Sequence, residues 1–160
     1  MTQLENDIFR LTIEPAEGRF SVQPKDSKLP GFSGASLSLS YRTQGGEQNT
    51  TLIGWNEVEG SREVADLQFH GRTEQISYRI PMNADGLEVT VSFGIVLETP
   101  LVMWKVEVHN RGKSVVNFER IGLLEVNEGD GGSVRDPHAT TPDELGFYCN
   151  GWQSWSPSGW

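Results

Sequence analysis

Aromatic, amide and hydroxyl side chains are concentrated in residues 145–160, the stretch of this sequence best equipped to bind a ligand. It reads LGFYCNGWQSWSPSGW and contains three of the five tryptophans of the chain. Gly, Ser and Pro form loops, and Trp is costly to leave in water, so the mixture is typical of a recognition loop on a rigid scaffold. An indole face packs on a sugar ring, and amides can bond sugar hydroxyls as donors and acceptors. The residues therefore predict a carbohydrate contact, with burial of Trp152, Trp155 and Trp160 in a core or domain interface as the commoner alternative.

Carboxylates are the first groups to seek beside a sugar contact, since a retaining glycosidase needs two of them about 5 Å apart. Four candidates lie in or beside one polar loop, namely Asp130, Asp136, Asp143 and Glu144. A solvated loop explains this cluster better than a catalytic pair, because charged side chains are mostly exposed. We therefore assign no catalytic residue to this chain.

Metal ligation would require His, Cys or carboxylate side chains grouped at ligand spacing. His70, His109 and His138 are far apart in the sequence, and Cys149 has no ligand beside it. Residues 127–130 are rich in oxygen ligands but lack the spacing of a calcium loop. Neither a nucleophile elbow nor a phosphate-binding loop occurs. We expect no metal and no cofactor.

Composition narrows the class of protein. The 160 residues suffice for one domain with a sizeable core. Lys and Arg number 13 against 22 Asp and Glu, and the net charge of −9 argues against nucleic acid or an anionic membrane as partner. Cys149 is the only cysteine, so no internal disulfide forms. The first residues lack the features of a signal peptide, and no run approaches the ~20 apolar residues of a membrane span. We expect a cytoplasmic protein.

Period-two alternation of apolar and polar residues recurs along the chain, and no window has a convincing helical period. Turn residues separate the alternating runs, as at 44–47 and 83–86. The pattern predicts one all-β domain over residues 1–160, with little or no helix and two packed antiparallel sheets of about ten strands. The predicted strands begin near Phe9, Phe20, Ala35, Leu52, Ala65, Ile76, Val89, Val102, Val115 and Leu145.

Three local features refine this prediction. The runs at 65–69 and 76–80 suggest a hairpin. The apolar phase slips between Phe118 and Ile121, which indicates a β-bulge. Residues 127–143 form a polar loop longer than loops without a function usually are. The last short strand, at 145–148, would deliver the tryptophan loop.

The run Asn150-Gly151-Trp152-Gln153-Ser154-Trp155 resembles the N-x-W-Q-S-W loop of the α-galactosidases of glycoside hydrolase family 36. In that family the loop closes an N-terminal β-supersandwich and precedes a (β/α)8 catalytic barrel, and its second Trp lines the galactose pocket. The resemblance therefore makes Trp155 a sugar contact. We expect Trp152 to anchor the loop by burial, and Gln153 and Asn150 to brace it or bind substrate.

The resemblance implies a non-catalytic N-terminal domain of a retaining enzyme that hydrolyses terminal α-galactosides with two barrel aspartates and no cofactor. This chain would then be a fragment without its barrel. Its partners would be that barrel and the sugar, and a homo-oligomer is possible. Residues beyond position 160 would determine which sugar is bound. Two alternatives stay open: a stand-alone carbohydrate-binding module and a purely structural interface domain.

Overall fold

The computed structural model of this protein describes residues 1–81 and 85–135. Within these ranges the chain forms twelve β-strands, one short 3-10 turn (Glu128–Asp130) and no α-helix. The strands are β1 (Thr2–Glu5), β2 (Phe9–Glu14), β3 (Arg19–Pro24), β4 (Gly31–Thr43), β5 (Gly46–Thr51), β6 (Asn56–Glu57), β7 (Glu63–Leu67), β8 (Gly71–Ile80), β9 (Leu87–Val96), β10 (Val102–Asn110), β11 (Asn117–Glu125) and β12 (Ser133–Arg135).

Two antiparallel sheets contain all of these strands. The first sheet has seven strands in the order β1-β2-β3-β4-β11, with β5 and β12 also paired to β4. The second sheet has five strands in the order β10-β9-β8-β6, with β7 also paired to β8. The 13-residue strand β4 has partners along both of its edges. The two sheets pack as a β-sandwich, as the alternating pattern predicts.

The core lies between the inner faces of the two sheets, because successive side chains of a strand point to opposite faces. Inner-face residues of β4 from Ala35 onward and of β9 are fully or almost fully buried, and serine or threonine alternates with most of them on the outer face. The largest fully buried side chains are Leu4, Leu11, Ile13, Phe20, Leu37 and Leu39 in the first sheet, and Ile76, Tyr78, Leu87, Val91, Phe93 and Ile95 in the second.

Aromatic rings link the two sheets at the centre of the core. The ring centroids of Phe20 and Phe93 are 5.1 Å apart, and those of Phe20 and Trp104 are also 5.1 Å apart. Trp55 stacks on Phe93 at 5.5 Å and an interplanar angle of 28°. Such pairs add about 0.5–1.5 kcal/mol each beyond the burial of their area. Trp104 thus joins the edge strand β10 to the core.

Several local predictions are confirmed. β7 and β8 form an antiparallel hairpin, joined at Leu67 and Gly71. The register of β11 on β4 shifts between Phe118 and Arg120, where the slip in apolar phase predicts a bulge. The turn predicted at residues 83–86 falls partly outside the described residues.

Other boundaries differ from the predictions. The strand predicted from Leu52 to Val58 is wrong, because only Asn56–Glu57 is extended and paired there. Leu52 and Trp55 instead lie in a loop and are buried there. The Trp55 indole nitrogen donates to the Leu52 carbonyl oxygen at 2.9 Å. The exposed polar strand β5 precedes them, and its lack of apolar residues explains why the pattern misses it. The region predicted as a loop from residue 127 contains β12.

Candidate functional site

The predicted sugar-binding residues lie outside the described residues. They are Trp155, Trp152, Gln153 and Asn150, and the same holds for Trp160, Asp136, Asp143, Glu144, His138 and Cys149. The described part of the chain contains the scaffold from which the segment of residues 136–160 departs. The surfaces around that departure point are therefore the ones that bear on the site.

An apolar groove of about 310 Å³ lies where the chain reaches its last described strand. Val134 of β12 lines the groove together with Phe32 of β4 and with Val102 and Trp104 of β10. Residues of both sheets therefore meet at this end of the sandwich. The segment that carries the predicted sugar contacts departs beside the start of β10.

Among residues 1–81 and 85–135, the sandwich is open along one side, which we call the open side and define by strands β10 and β11. Phe118 and Ile121 of β11 pair with Tyr41 and Leu39 of β4, and paired residues project on the same face. Tyr41 and Leu39 are 3% and 1% exposed, whereas Phe118 and Ile121 are each 43% exposed. The inner face of β11 is therefore only partly covered by the second sheet.

Strand β10 shows the same incomplete cover from the opposite sheet. Its inward residues Val102, Trp104, Val106 and Val108 are only half-buried, although their partners on β9 are buried. The Trp104 indole nitrogen donates to the Leu123 carbonyl oxygen at 2.7 Å and so ties β10 to β11. Together, β10 and β11 present apolar side chains that lack a covering layer among the described residues.

A second groove of about 460 Å³ crosses the outer face of the second sheet, and its lining mixes apolar residues such as Leu67 and Met103 with polar ones. Its floor is made of small residues, Ser77 of β8 with Ser92 and Gly94 of β9, and Gln75 and Lys105 also line it. The hydroxyl oxygens of Ser77 and Ser92 are 2.8 Å apart and hydrogen-bonded. Hydroxyl, amide and ammonium groups in one shallow groove can bond the hydroxyls of a polar ligand.

Asp130 is the only one of the four candidate carboxylates within the described residues, and its contacts are structural. Its carboxylate accepts a hydrogen bond from the Asn127 side-chain amide at 2.9 Å. The Asn127 amide oxygen caps the 3-10 turn by accepting from the Gly129 backbone nitrogen, also at 2.9 Å. Arg19 donates to the Asp130 carbonyl oxygen. These contacts close the turn before β12.

Histidines are dispersed in the described residues, with His70 in the β7–β8 turn and His109 near the end of β10. Residues 1–81 and 85–135 contain no group of three or more His, Cys, Asp and Glu side chains placed to hold a metal ion. In the same ranges, no helix is both long enough and apolar enough to span a membrane.

Tyr78 is a buried titratable residue of the core. Its hydroxyl is fully buried and has no hydrogen-bond partner of normal geometry among the described residues. Burial raises the pKa of Tyr78, although the nearby Thr2 side chain partly opposes this by favouring the ionised form. The ring packs beside Trp55 and Phe93, so the residue belongs to the core and not to a site.

Comparison of the chain with protein-family models, with curated proteins and with solved structures finds no match. The resemblance to the α-galactosidases therefore rests on the six-residue loop alone.

Sequence reasoning missed the open side, although a signal for it was present in β11. This strand contains Phe118, Ile121, Leu123 and Leu124, which do not hold to one face as a half-buried strand requires. Apolar residues in both phases indicate a strand covered on more than one side.

Proposed function

We propose that this chain is the non-catalytic β-sandwich domain of a retaining α-galactosidase of glycoside hydrolase family 36. One observation carries the proposal: the run Asn150–Trp155 with its N-x-W-Q-S-W pattern follows a two-sheet antiparallel sandwich. The domain supports a catalytic barrel and lends Trp155 to the galactose pocket. A single cysteine requires no oxidising compartment, which supports a cytoplasmic enzyme.

Trp155 has a chemical use in this function. Hydrolysis of a glycosidic bond passes through an oxocarbenium-like transition state that carries positive charge on the sugar. An indole face beside that charge stabilises it by about 0.5–2 kcal/mol as a cation–π contact. The two catalytic aspartates come from the barrel, and no residue of this chain donates or accepts the transferred proton.

The proposal can be tested by steady-state kinetics of the proposed full-length enzyme, in which this chain precedes the catalytic barrel. Replacing Trp155 by Ala removes about 1–2 kcal/mol of transition-state stabilisation, so we expect kcat/KM for an α-galactoside to fall about five- to thirty-fold. Thermal stability should stay unchanged, because the side chain faces the sugar. Trp152→Ala is the matched control and should lower the melting temperature through lost burial.

Two outcomes would contradict this role. Unchanged turnover by the Trp155→Ala enzyme, together with a lower melting temperature, would make the loop a structural interface. Equal effects of the two tryptophan substitutions on turnover would remove the assignment of separate roles.

A stand-alone carbohydrate-binding module is the second candidate, and the hydroxyl, amide and ammonium groups in the groove on the outer face of the second sheet favour it. Titration of the 160-residue chain with melibiose, followed by residue-resolved NMR, separates the two functions. Millimolar or tighter binding that shifts Ser77 and Ser92 supports the module. The first proposal expects little binding by the isolated chain, because one loop supplies only part of a pocket.

A further inference from the structure

We infer that residues 145–148 add to the free edge of β10 as a further strand of the second sheet and cover the open side. The inference concerns how the chain completes its sandwich. It does not depend on the proposed role in galactoside hydrolysis.

The edge of β10 is suited to accept another strand. Its nine residues pair with β9 in one unbroken register, from Val102 with Ile95 to Asn110 with Leu87. Among the described residues, β10 pairs with no other strand. A long, regular edge with unpaired backbone groups is a template for strand addition. The edge of β11 is less suitable, because two register shifts interrupt its pairing with β4.

The backbone groups of β10 that have no strand partner among the described residues can be identified. The Val96 nitrogen donates to the Leu101 carbonyl oxygen, so residues 101 and 96 form a hydrogen-bonded pair. Hydrogen-bonded pairs alternate along an antiparallel ladder. The odd-numbered residues of β10 therefore bond to β9, and the even-numbered residues direct their backbone groups to the free edge. The four outward amides belong to Val102, Trp104, Val106 and Val108.

A strand beside β10 would also provide the missing cover. The first sheet extends to β11, whose Phe118 and Ile121 face inward but stay 43% exposed. Strands in a sheet lie about 4.8 Å apart and packed sheets about 10 Å apart, so one more strand on β10 would lie across the gap from β11. The occupant must therefore bring apolar side chains on one face and form a strand.

Residues 145–148 meet these requirements within the same chain. Leu145 and Phe147 alternate with Gly146 and Tyr148, and none of the four is charged. The connection of nine residues from Arg135 can span up to about 30 Å, well beyond the distance between the two sheets. It departs from the groove that Val134 shares with Val102 and Trp104 at the start of β10.

Residue-resolved amide hydrogen exchange of the 160-residue chain tests this inference. We expect the amides of Val102, Trp104, Val106 and Val108 to be protected about a hundredfold or more over unpaired amides. In the Phe147→Pro/Tyr148→Pro variant, that protection should fall to within about tenfold of unpaired amides, because proline donates no ladder hydrogen bond. The matched control, Ser156→Pro/Ser158→Pro, should retain the protection.

Amides of β9 provide the internal reference, since they pair on both sides within the described residues and should stay protected in every variant. Rapid exchange of the four edge amides in the unmodified chain would overturn the inference. Protection that survives the double proline change, or that is lost on dilution, would assign the edge to another segment or to a second copy. The exchange experiment contains no sugar. A negative result would therefore overturn only this inference, and the kinetics of the Trp155→Ala enzyme would still test the proposed function separately.

Discussion

Asn6 should be among the most sensitive polar positions of the fold, although it is an ordinary surface-type residue in the sequence. It is 7% exposed and lies in the turn between β1 and β2. Its side-chain nitrogen donates to the carbonyl oxygens of Val96 at 2.7 Å and Thr99 at 2.9 Å. Its side-chain oxygen accepts from the backbone nitrogens of Ile8 at 2.9 Å and Phe9 at 2.7 Å. The amide therefore uses all four of its hydrogen-bonding positions to join the first sheet to the turn after β9.

Removing this amide has a cost that follows from the four bonds. A hydrogen bond contributes about 1 kcal/mol net, so four fully buried bonds would contribute about 4 kcal/mol. One of the four is buried and three are partly buried, which lets water replace some of them in a variant. We therefore expect Asn6→Ala to lower the free energy of unfolding by about 3 kcal/mol.

The near-isosteric change Asn6→Asp tests the direction of the bonds. An ionised carboxylate keeps the bonds to Ile8 and Phe9 but sets an oxygen against the carbonyl oxygens of Val96 and Thr99. We expect a loss of at least about 3 kcal/mol at pH 7. A protonated carboxyl can donate again, so folding favours the protonated form of the new side chain. The loss relative to the unmodified protein should then shrink as pH falls toward about 4.

Urea unfolding of the unmodified chain and both variants at pH 7 and pH 4 measures these differences. The slope with urea should be the same for all three proteins, because the unfolded surface is unchanged. An Asn6→Asp variant within 1 kcal/mol of the unmodified protein at pH 7 would refute the reasoning. A loss that is equal at the two pH values would show that the amide nitrogen is not the group that matters.

Two further predictions concern the core and one turn. Tyr78→Phe should raise the free energy of unfolding by up to about 1 kcal/mol in urea at pH 7, since it removes a buried hydroxyl that has no hydrogen-bond partner of normal geometry among the described residues. Because burial raises the pKa of Tyr78 above its usual 10.0, the unfolded chain ionises at this residue more readily than the folded chain, and the free energy of unfolding falls as the pH rises above 10. The Phe variant should therefore lose less stability between pH 9 and pH 11. Gly18→Ala should cost about 3 kcal/mol by thermal unfolding, because φ is +66° and the new Cβ would lie 2.1 Å from the Leu52 carbonyl oxygen. Gly54→Ala, at φ +67° with open space, should cost only the ~1 kcal/mol of the backbone conformation, and an equal loss at both glycines would contradict the clash.

Alternation predicts the sandwich, because every second residue of a half-buried strand points to the core and is apolar. The run from Val89 to Ile95 is the clearest case, and it is a central strand of the second sheet. Alternation does not predict burial that comes from tertiary contacts. Leu52 and Trp55 lie in a run with the composition of a strand, but they are buried side chains of a loop. The sequence does not indicate the role of Asn6 for the same reason, since two of its four hydrogen-bond partners lie about ninety residues away. For the proposed sugar site, the sequence predicts the residue types, and the described residues give only the scaffold beside them.

The unequal widths of the two sheets connect the scaffold to the proposed site. In the part of the chain that the structure describes, the first sheet extends to β11 and the second ends at β10, so the inner face of β11 is only partly covered there. If residues 145–148 fill that position, the loop from Asn150 to Trp155 begins within two residues of a strand fixed on a rigid sheet. A side chain that must lie against a sugar needs such support, because small displacements of a contact weaken transition-state stabilisation. The edge of β10 would then control both the completion of the core and the position of Trp155. A change that weakens the edge pairing should accordingly lower turnover by the whole enzyme even though it touches no sugar contact.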